Sequence, residues 1–586
     1  MLKRFFLVYF IFTMTLTFAQ QNISVPLTDQ VYNIIEYSEI RGYTKKLHNS
    51  RPYTLSLILD TLYTILEHPD ISLNEKDLVL QTIERLSPSG STEFTADSSL
   101  FQKIGTIGST GSYRYENDSE NIPVSVEIGA NAEINIASNF NEPNISNYEW
   151  LNLFLLGDVG NNFSYKVHMG MGIMKLDYSA YEPFSFSPFW GGYLYLMENL
   201  ASFAGSSEDL AAGIQLLPEF GVSVFDNKLG FNFSRITRDW GTGNGNLMLS
   251  KTSQPFVAME MYLRPVDFIS LSAITGVLEY YLENSIKTDA ALFQNAYSAF
   301  MGEIFFGEYA YAGLVSSVVW PKRFELGYII PGMIPFFYQN MVGDFDNMLF
   351  GLSLGANIPG YANFYFNVLA DELNFNSENF FHKDRNMYAY QAGVRVAVPS
   401  TAFATFNFQY TKLEPYMYTH PGVNETPWYD ADTIMLINYV NHGENLGYNL
   451  PPNSDQFKLV ASMFPFWFLK TDISYSLIRH GVTYGSGAVD GSSVDDSLPY
   501  REGGVESLTK YFLTDGVYEW VHALGIQAEL DMRFVKNIPL TFNIGYTLAY
   551  THFTSPNVLN VSFQPLNNSE YTAHWGNYFT LSIKVW

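Results

Sequence analysis

Residues 235–250 read RITRDWGTGNGNLMLS, a stretch whose side chains could do chemistry. Arg235, Arg238, Asp239 and Trp240 precede glycines at 241, 243 and 245, and an apolar run follows. Glycines beside arginines suggest a phosphate cradle, but the spacing fails the dinucleotide fingerprint and another strand follows where a helix is needed. A P-loop would end in Gly-Lys-Ser/Thr, which is absent. The plain structural reading is a turn or bulge where backbones approach closely.

Other constellations give no reaction. The sequence contains no His-Glu-x-x-His zinc motif. His382 and Asp384 fall in a polar loop and read as solvated surface. Asp490, Asp495 and Asp496 flank Gly491 without the spacing of an EF-hand. With no cysteine in 586 residues, disulfides, thiolate metal sites and Cys nucleophiles are excluded. No catalytic residue, cofactor or metal is expected, and the chain reads as a non-enzyme.

The elements that position these residues follow from composition and period. Charged residues are 15% and aromatics 17% of the chain, with 41 Tyr and 47 Phe. Few charges, many aromatics and no long apolar run suit a membrane β-barrel, in which lipid-facing and lumen-facing residues alternate. Lys3 and Arg4 precede an apolar stretch from Phe5 to about Leu16, with Thr17-Phe18-Ala19 as cleavage site, so residues 1–19 read as a secretory signal. The net charge is −26, and losing the two basic residues of the leader takes it to −28. Such a chain repels phosphate backbones, and nucleic acid is not an expected partner.

Residues 20–95 read as a small periplasmic helical domain and linker. Val31–Ile40 is amphipathic. Ser50, Arg51 and Pro52 look like an N-cap with an early proline ahead of Leu55, Leu59, Leu62 and Leu66. Ser72 and Glu75 have capping-box spacing before Leu78, Val79, Ile83 and Leu86.

From residue 96 to 586 the period changes to two. Val126, Ile128, Ala130, Ala132, Ile134 and Ile136 alternate with polar neighbours. So do Phe406, Phe408 and Tyr410; Ile544, Tyr546, Leu548 and Tyr550; Ile526, Ala528, Leu530, Met532 and Phe534; and Phe579, Leu581, Ile583 and Val585. Segments of about 9–11 residues are long enough to cross a bilayer as tilted strands. Aromatics load the strand ends, and the chain stops at Trp586. The reading is an all-β fold: a transmembrane antiparallel barrel of about 18 strands behind the small helical domain. Asp371–Met387, Glu414–Ile434 and Gly485–Ser507 read as long extracellular loops. Glu127, Glu133, Lys166, His168, Glu529, Asp531 and Arg533 are expected to line the lumen and neutralise one another.

Within this frame Arg238-Asp239-Trp240-Gly241-Thr242-Gly243, Leu247–Ser250 and Gln254-Pro255-Phe256 resemble the signature of the capsule assembly Wzi family, with Gly-Thr-Gly where that family commonly has Gly-Pro-Gly. The stretches 370–375, 389–396, 410–420 and 441–455 fall in that family's order, and the N-terminal VPLTDQVYNIIEYSEIRG is similar too. The resemblance implies an outer-membrane lectin that holds exported capsular polysaccharide, with outer-membrane lipid, surface polysaccharide and the barrel-assembly machinery as partners. By resemblance and residue type, the candidate carbohydrate-binding residues are Arg235, Arg238, Asp239, Trp240, Tyr416, Tyr418, Trp428 and Tyr448, since sugars are bound by aromatic faces and planar hydrogen-bonding groups. A charge of −28 suits a neutral or basic glycan. The alternative is a porin-like channel for small solutes. The lumen discriminates: an inserted loop or bulky inward side chains would block transport, and small residues such as Gly129 and Gly545 would leave it open.

Overall fold

In the computed structural model the described residues are 22–86, 115–116 and, apart from stretches in the connecting loops, 124–585. Residues 1–21, most of the linker and Trp586 lie outside them.

Eighteen antiparallel strands close into a barrel. In chain order they are β1 (Val124–Asn139), β2 (Glu142–Val159), β3 (Phe163–Lys175), β4 (Leu210–Val224), β5 (Leu229–Ile236), β6 (Phe256–Val266), β7 (Ile269–Val277), β8 (Ala296–Phe306) and β9 (Ala310–Trp320). They continue as β10 (Asn347–Ile358), β11 (Ala362–Glu372), β12 (Met387–Val398), β13 (Ala404–Leu413), β14 (Ser454–Phe466), β15 (Leu469–Val482), β16 (Val517–Asp531), β17 (Leu540–Asn557) and β18 (His574–Val585). β18 pairs with β1, from Asn577 opposite Ser138 to Val585 opposite Ala130, so no strand edge is left open. Closure is what lets strands sit in lipid, where an unpaired backbone group costs several kcal/mol.

The alternation anticipated from the sequence sets the two faces. Leu151, Leu153, Met171, Leu352, Leu354, Phe406, Phe408, Leu524 and Ile526 are exposed on the outer wall. Their sequence neighbours point into the lumen. Connections at one end are short, such as 225–228, 267–268, 307–309 and 467–468. Exposed Phe225, Phe268, Phe306, Tyr309, Tyr361 and Phe466 ring that end, as aromatic residues do at a membrane–water boundary. Long connections, among them 237–255, 321–346, 414–453 and 483–516, all emerge at the other end. The three loops anticipated from composition are among them. β16 stops at Asp531, and Met532–Phe534 form a single 3-10 turn, so Arg533 is a turn residue held on the Asp531 carboxylate rather than part of the strand.

Three helices precede the barrel: α1 (Val31–Arg41), α2 (Leu55–Glu67) and α3 (Leu73–Leu86). Gly42 ends α1 at φ 77°, donating its N–H to the Glu39 and Ser38 carbonyls, a left-handed cap that suits glycine. The Ser72–Glu75 capping box forms as anticipated, Glu75 N–H to Ser72 Oγ at 3.3 Å and Ser72 N–H to Glu75 Oε2 at 2.8 Å. The cap of α2 differs from expectation. Thr54 takes that role through the Leu57 N–H, because Ser50 and Arg51 are drawn into a ladder with Asp239 and Trp240.

The helical region is seated in the short-turn end of the barrel. Its core of Ile34, Tyr37, Ile58, Leu62 and Ile65 continues into Ala397, Phe403 and Phe464 of the barrel. Arg41 donates to the Gly360 carbonyl at 2.7 Å, and Gly360 N–H donates to the Ile40 carbonyl at 2.8 Å. A charge placed on the outer wall tests the assignment of faces. Leu352→Arg is expected to cost ~2–4 kcal/mol of folding free energy in lipid vesicles, measured by urea titration of refolding. A cost near zero would mean that this face does not meet lipid.

Candidate functional site

The segment 237–255, between β5 and β6, turns back into the lumen. Gly241 at φ 138° and Gly245 at φ 85° take backbone conformations that L side chains rarely adopt. A Cβ on Gly243 would collide with Gln391. With no side chains in the way, the loop's backbone is read directly by the inner wall. Gln391 Nε2 donates to the Gly245 carbonyl at 2.9 Å, and Asn244 N–H donates to Gln409 Oε1 at 2.7 Å. Arg395 donates to the Thr242 carbonyl, and the Tyr311 hydroxyl donates to Thr242 Oγ1 at 2.8 Å.

A second segment, 437–453 after β13, folds over the first. The Tyr418 hydroxyl donates to the Leu247 carbonyl at 2.6 Å, and Tyr439 donates to Met248 at 2.8 Å. Ser250 N–H donates to Leu446 at 2.8 Å. Tyr418 and Tyr439 stack at 5.5 Å between centroids. Burial pushes the Tyr448 phenol up to about 12 and Tyr418 further, so both are neutral donors at any physiological pH.

From the opposite side comes the chain of the helical region. Ser50 pairs with Trp240 and Arg51 with Asp239, and Gly241 N–H donates to the Asn49 carbonyl at 2.8 Å. The Arg51 guanidinium bridges Asp239 at 2.8 Å and Glu36 at 2.7 Å, and Arg395 of β12 stands 3.5 Å from Glu36. Burial alone would raise the Glu36 carboxyl, but Arg395 and Arg51 outweigh it and hold it at about 2. Asp239 also accepts from Asn246 Nδ2 at 2.6 Å and from Lys251 N–H at 3.1 Å.

The structure thus brings Arg235, Arg238, Asp239, Trp240, Tyr418 and Tyr448 together, as protein interior. Arg238 is 1% exposed; it pairs with Glu260, donates to the Ile236 and Phe256 carbonyls, and lies 4.9 Å from the centre of the Phe256 ring. Arg235 forks onto Glu279 at 2.8 and 2.6 Å, where His442 also arrives at 3.1 Å. Trp240 is 3% exposed, its indole N–H without a hydrogen-bond partner among the described residues. Tyr416 is buried at φ 66° with its N–H on the Gly491 carbonyl. These aromatic faces pack on protein and offer no stacking surface to a sugar from outside. Trp428, His382, Asp384, Asp490, Asp495, Asp496 and the side chain of Glu127 lie outside the described residues.

Of the other lumen-facing residues, Glu133 accepts from Tyr148 at 2.9 Å and from Asn135 at 2.7 Å. His168 shares a 2.9 Å contact with Asn152 and stacks on Phe154 at 4.5 Å. Lys166, Glu529 and Asp531 are half-buried on the inner face. Glu133 is thus hydrogen-bonded by a neighbouring hydroxyl and amide of the wall, while Asp531 and Arg533 pair with each other. Sequence reasoning passed over Glu36, Arg51 as a bridge, Gln391, Gln409 and Arg395; Glu36, Gln391 and Arg395 stand in stretches quoted for the family resemblance, and nothing in those stretches marks Arg51 or Gln409.

The whole architecture can now be compared with solved structures. A match at TM-score 0.50 and 10% identity covers 97% of this chain and 99% of Wzi from Escherichia coli, an outer-membrane protein involved in group 1 capsule assembly and a carbohydrate-binding β-barrel. The chain has the Wzi fold. OprD from Pseudomonas aeruginosa matches at TM-score 0.38 and 10% identity over 78% of this chain and 94% of its own. OpdK from the same organism, solved with vanillate, matches at 0.41 and 8% over 78% and 98%. No family model matches the chain, and no curated protein matches it. The Wzi fold extends over helices and barrel alike.

Removing one partner of a buried pair strands the other charge, at a typical cost of 3–5 kcal/mol. Arg51→Ala is therefore expected to lower the thermal midpoint of the helical region and expose its helices to protease, as read by limited proteolysis. The depressed Glu36 carboxyl contributes stability that is present above its ordinary value near 4.5 and lost as pH falls toward about 2. Acid release of the helices in that window should shift upward in Arg51→Ala; an unchanged midpoint would remove the bridge from the account.

Proposed function

We propose that this protein is an outer-membrane barrel that binds or anchors surface polysaccharide at its long-loop end, without catalysing a reaction. The helical region faces the periplasm in this reading, and the barrel-assembly machinery inserts the chain. The observation that carries it is the occupied lumen. Segments from both ends of the barrel meet at Arg51–Asp239 and are tied to β8–β13 by buried hydrogen bonds. A diffusion channel needs the space that these segments fill, whereas a surface binding protein needs a rigid platform beneath its loops. Wzi, which has this fold, is described as carbohydrate-binding and as acting in group 1 capsule assembly.

Arg238, Asp239 and Trp240 then act as positioning residues, fixing the platform from which the loops reach the glycan. The connection between β13 and β14 carries Trp428, a candidate stacking surface, and the acidic balance of the chain favours a neutral or basic glycan over nucleic acid.

The test pairs two measurements on the refolded protein. Planar-bilayer recordings should give no steady conductance, and the protein should retain polysaccharide from its own source on an affinity column. Trp428→Ala should weaken that retention about tenfold, the worth of one aromatic contact of ~1.4 kcal/mol, with the thermal midpoint unchanged. A steady conductance that ignores added polysaccharide would replace this reading with a porin-like channel.

A further inference from the structure

The segment between β9 and β10 carries two short helices, α4 (Leu326–Ile329) and α5 (Pro335–Val342). They rest on the outside of the barrel, the face that elsewhere meets lipid. Outward-pointing residues of β9 show this. Ala312 and Leu314 are half-exposed, while Ser316, Val318 and Trp320, nearer the long-loop end of the same face, are fully buried.

The wall beneath the helices is built to receive them. Thr275 Oγ1 and Ser298 Oγ, on the outer faces of β7 and β8, both donate to the Tyr328 carbonyl at 3.0 and 2.7 Å. Phe336 N–H donates to Ser316 Oγ at 3.1 Å. Hydroxyls facing lipid without partners would be costly, so these three positions suit the covered state. Charges stay near the strand ends: Arg323 forks onto Asp346 at 2.8 and 2.6 Å, and Tyr328 donates to the same carboxylate at 2.9 Å. Glu325 is held by Arg323 and Tyr338, and the outermost side chains are apolar, with Phe324 at 80%, Met341 at 75% and Phe337 at 55% exposed.

Beside the helices, toward β5 and β6, the cover stops short of the wall. An open cleft remains, about 340 Å³ with its open mouth included; Phe231, Met259, Met261, Ala273, Ile330 and Met333 line it together with polar residues, among them Thr275, Ser298 and Tyr328. It is open to the outside, and its lip is continuous with the belt at Phe231, Phe233 and Met259. Met259, Met261 and Met333 are among the lining residues, and their unbranched thioethers adapt to a flexible guest.

We propose that this cleft binds one acyl chain of a lipid from the leaflet at the long-loop end, with α4 and α5 embedded beside it. The Thr275 and Ser298 hydroxyls of its lining are both spent on the Tyr328 carbonyl and Glu260 is paired with Arg238, while the lip meets hydrocarbon on every exposed side, which selects a lipid chain over a soluble ligand. The site lies on the opposite face of the wall from the lumen and stands whether or not the barrel binds polysaccharide.

The experiment reconstitutes the full protein in phosphatidylcholine vesicles doped with a phosphatidylcholine carrying a diazirine midway along one chain, and maps the photolabel by peptide mass spectrometry. Labelling at 259–261 and 329–333 should exceed that on the open belt at 151–155 several-fold. Ala273→Phe, which fills the cleft, should bring it down to the belt's level while the protein still migrates as a folded barrel. Leu352→Phe, on the open wall, serves as the control for folding and should leave cleft labelling intact. Equal labelling of cleft and belt in the wild type would overturn the proposal, as would full cleft labelling in folded Ala273→Phe. Absence of label together with a dimer in solution would assign the cleft to a second copy instead.

Discussion

The Arg51–Asp239 pair is the junction on which the interior depends. One partner comes from the helical region at the short-turn end, the other from a loop that entered at the opposite end. Two buried charges in a protein interior lose several kcal/mol of hydration each, and their attraction repays it only with good geometry and further hydrogen bonds. Here the carboxylate has Asn246 and the Lys251 N–H besides, and the guanidinium has Glu36 and the Gly241 carbonyl. The carboxylate's further donors come from its own loop, and the guanidinium's further partners come from α1 and that same loop. The arrangement is specific because it is costly to misassemble.

Around that junction the barrel behaves as three environments in one sheet. Outward residues meet hydrocarbon and are apolar. Inward residues under the plug form a buried polar core: Asn367 donates to Gln391, Gln391 and Gln409 both donate to Thr411, and both are bonded to loop backbone. Inward residues of β1–β3 remain half-buried, with Asn131, Asn152 and His168 in a chain of contacts. The same alternating pattern supplies all three, since the pleat fixes only which side a residue faces. What it meets there depends on which segment has folded in.

The glycine-rich stretch illustrates the consequence for function. Its arginines, aspartate and tryptophan have the types expected of a sugar site, but a buried guanidinium forked on Glu260 and main-chain carbonyls has little left to offer a ligand. In the proposed reading their contribution is mechanical: they hold the inward segment in one conformation, so that the loops above it present a defined surface.

The sequence by itself determined the alternation, the approximate strand number, two of the three helix starts and the inward or outward direction of residues such as Phe406 and Glu133. Each follows from local rules: strand period, helix capping, and the exclusion of charge from lipid. The tertiary structure decided where 237–255 goes, that Ser50 and Arg51 leave the α2 cap for a ladder with Asp239 and Trp240, and that Tyr418 and Tyr448 are interior. It also decided that α4 and α5 lie against the outer wall. The reason is physical. A loop's destination is set by partners far along the chain, such as Gln391 and Gln409 for Gly245 and Asn244, and no local pattern encodes an interaction whose two halves are about 150 residues apart.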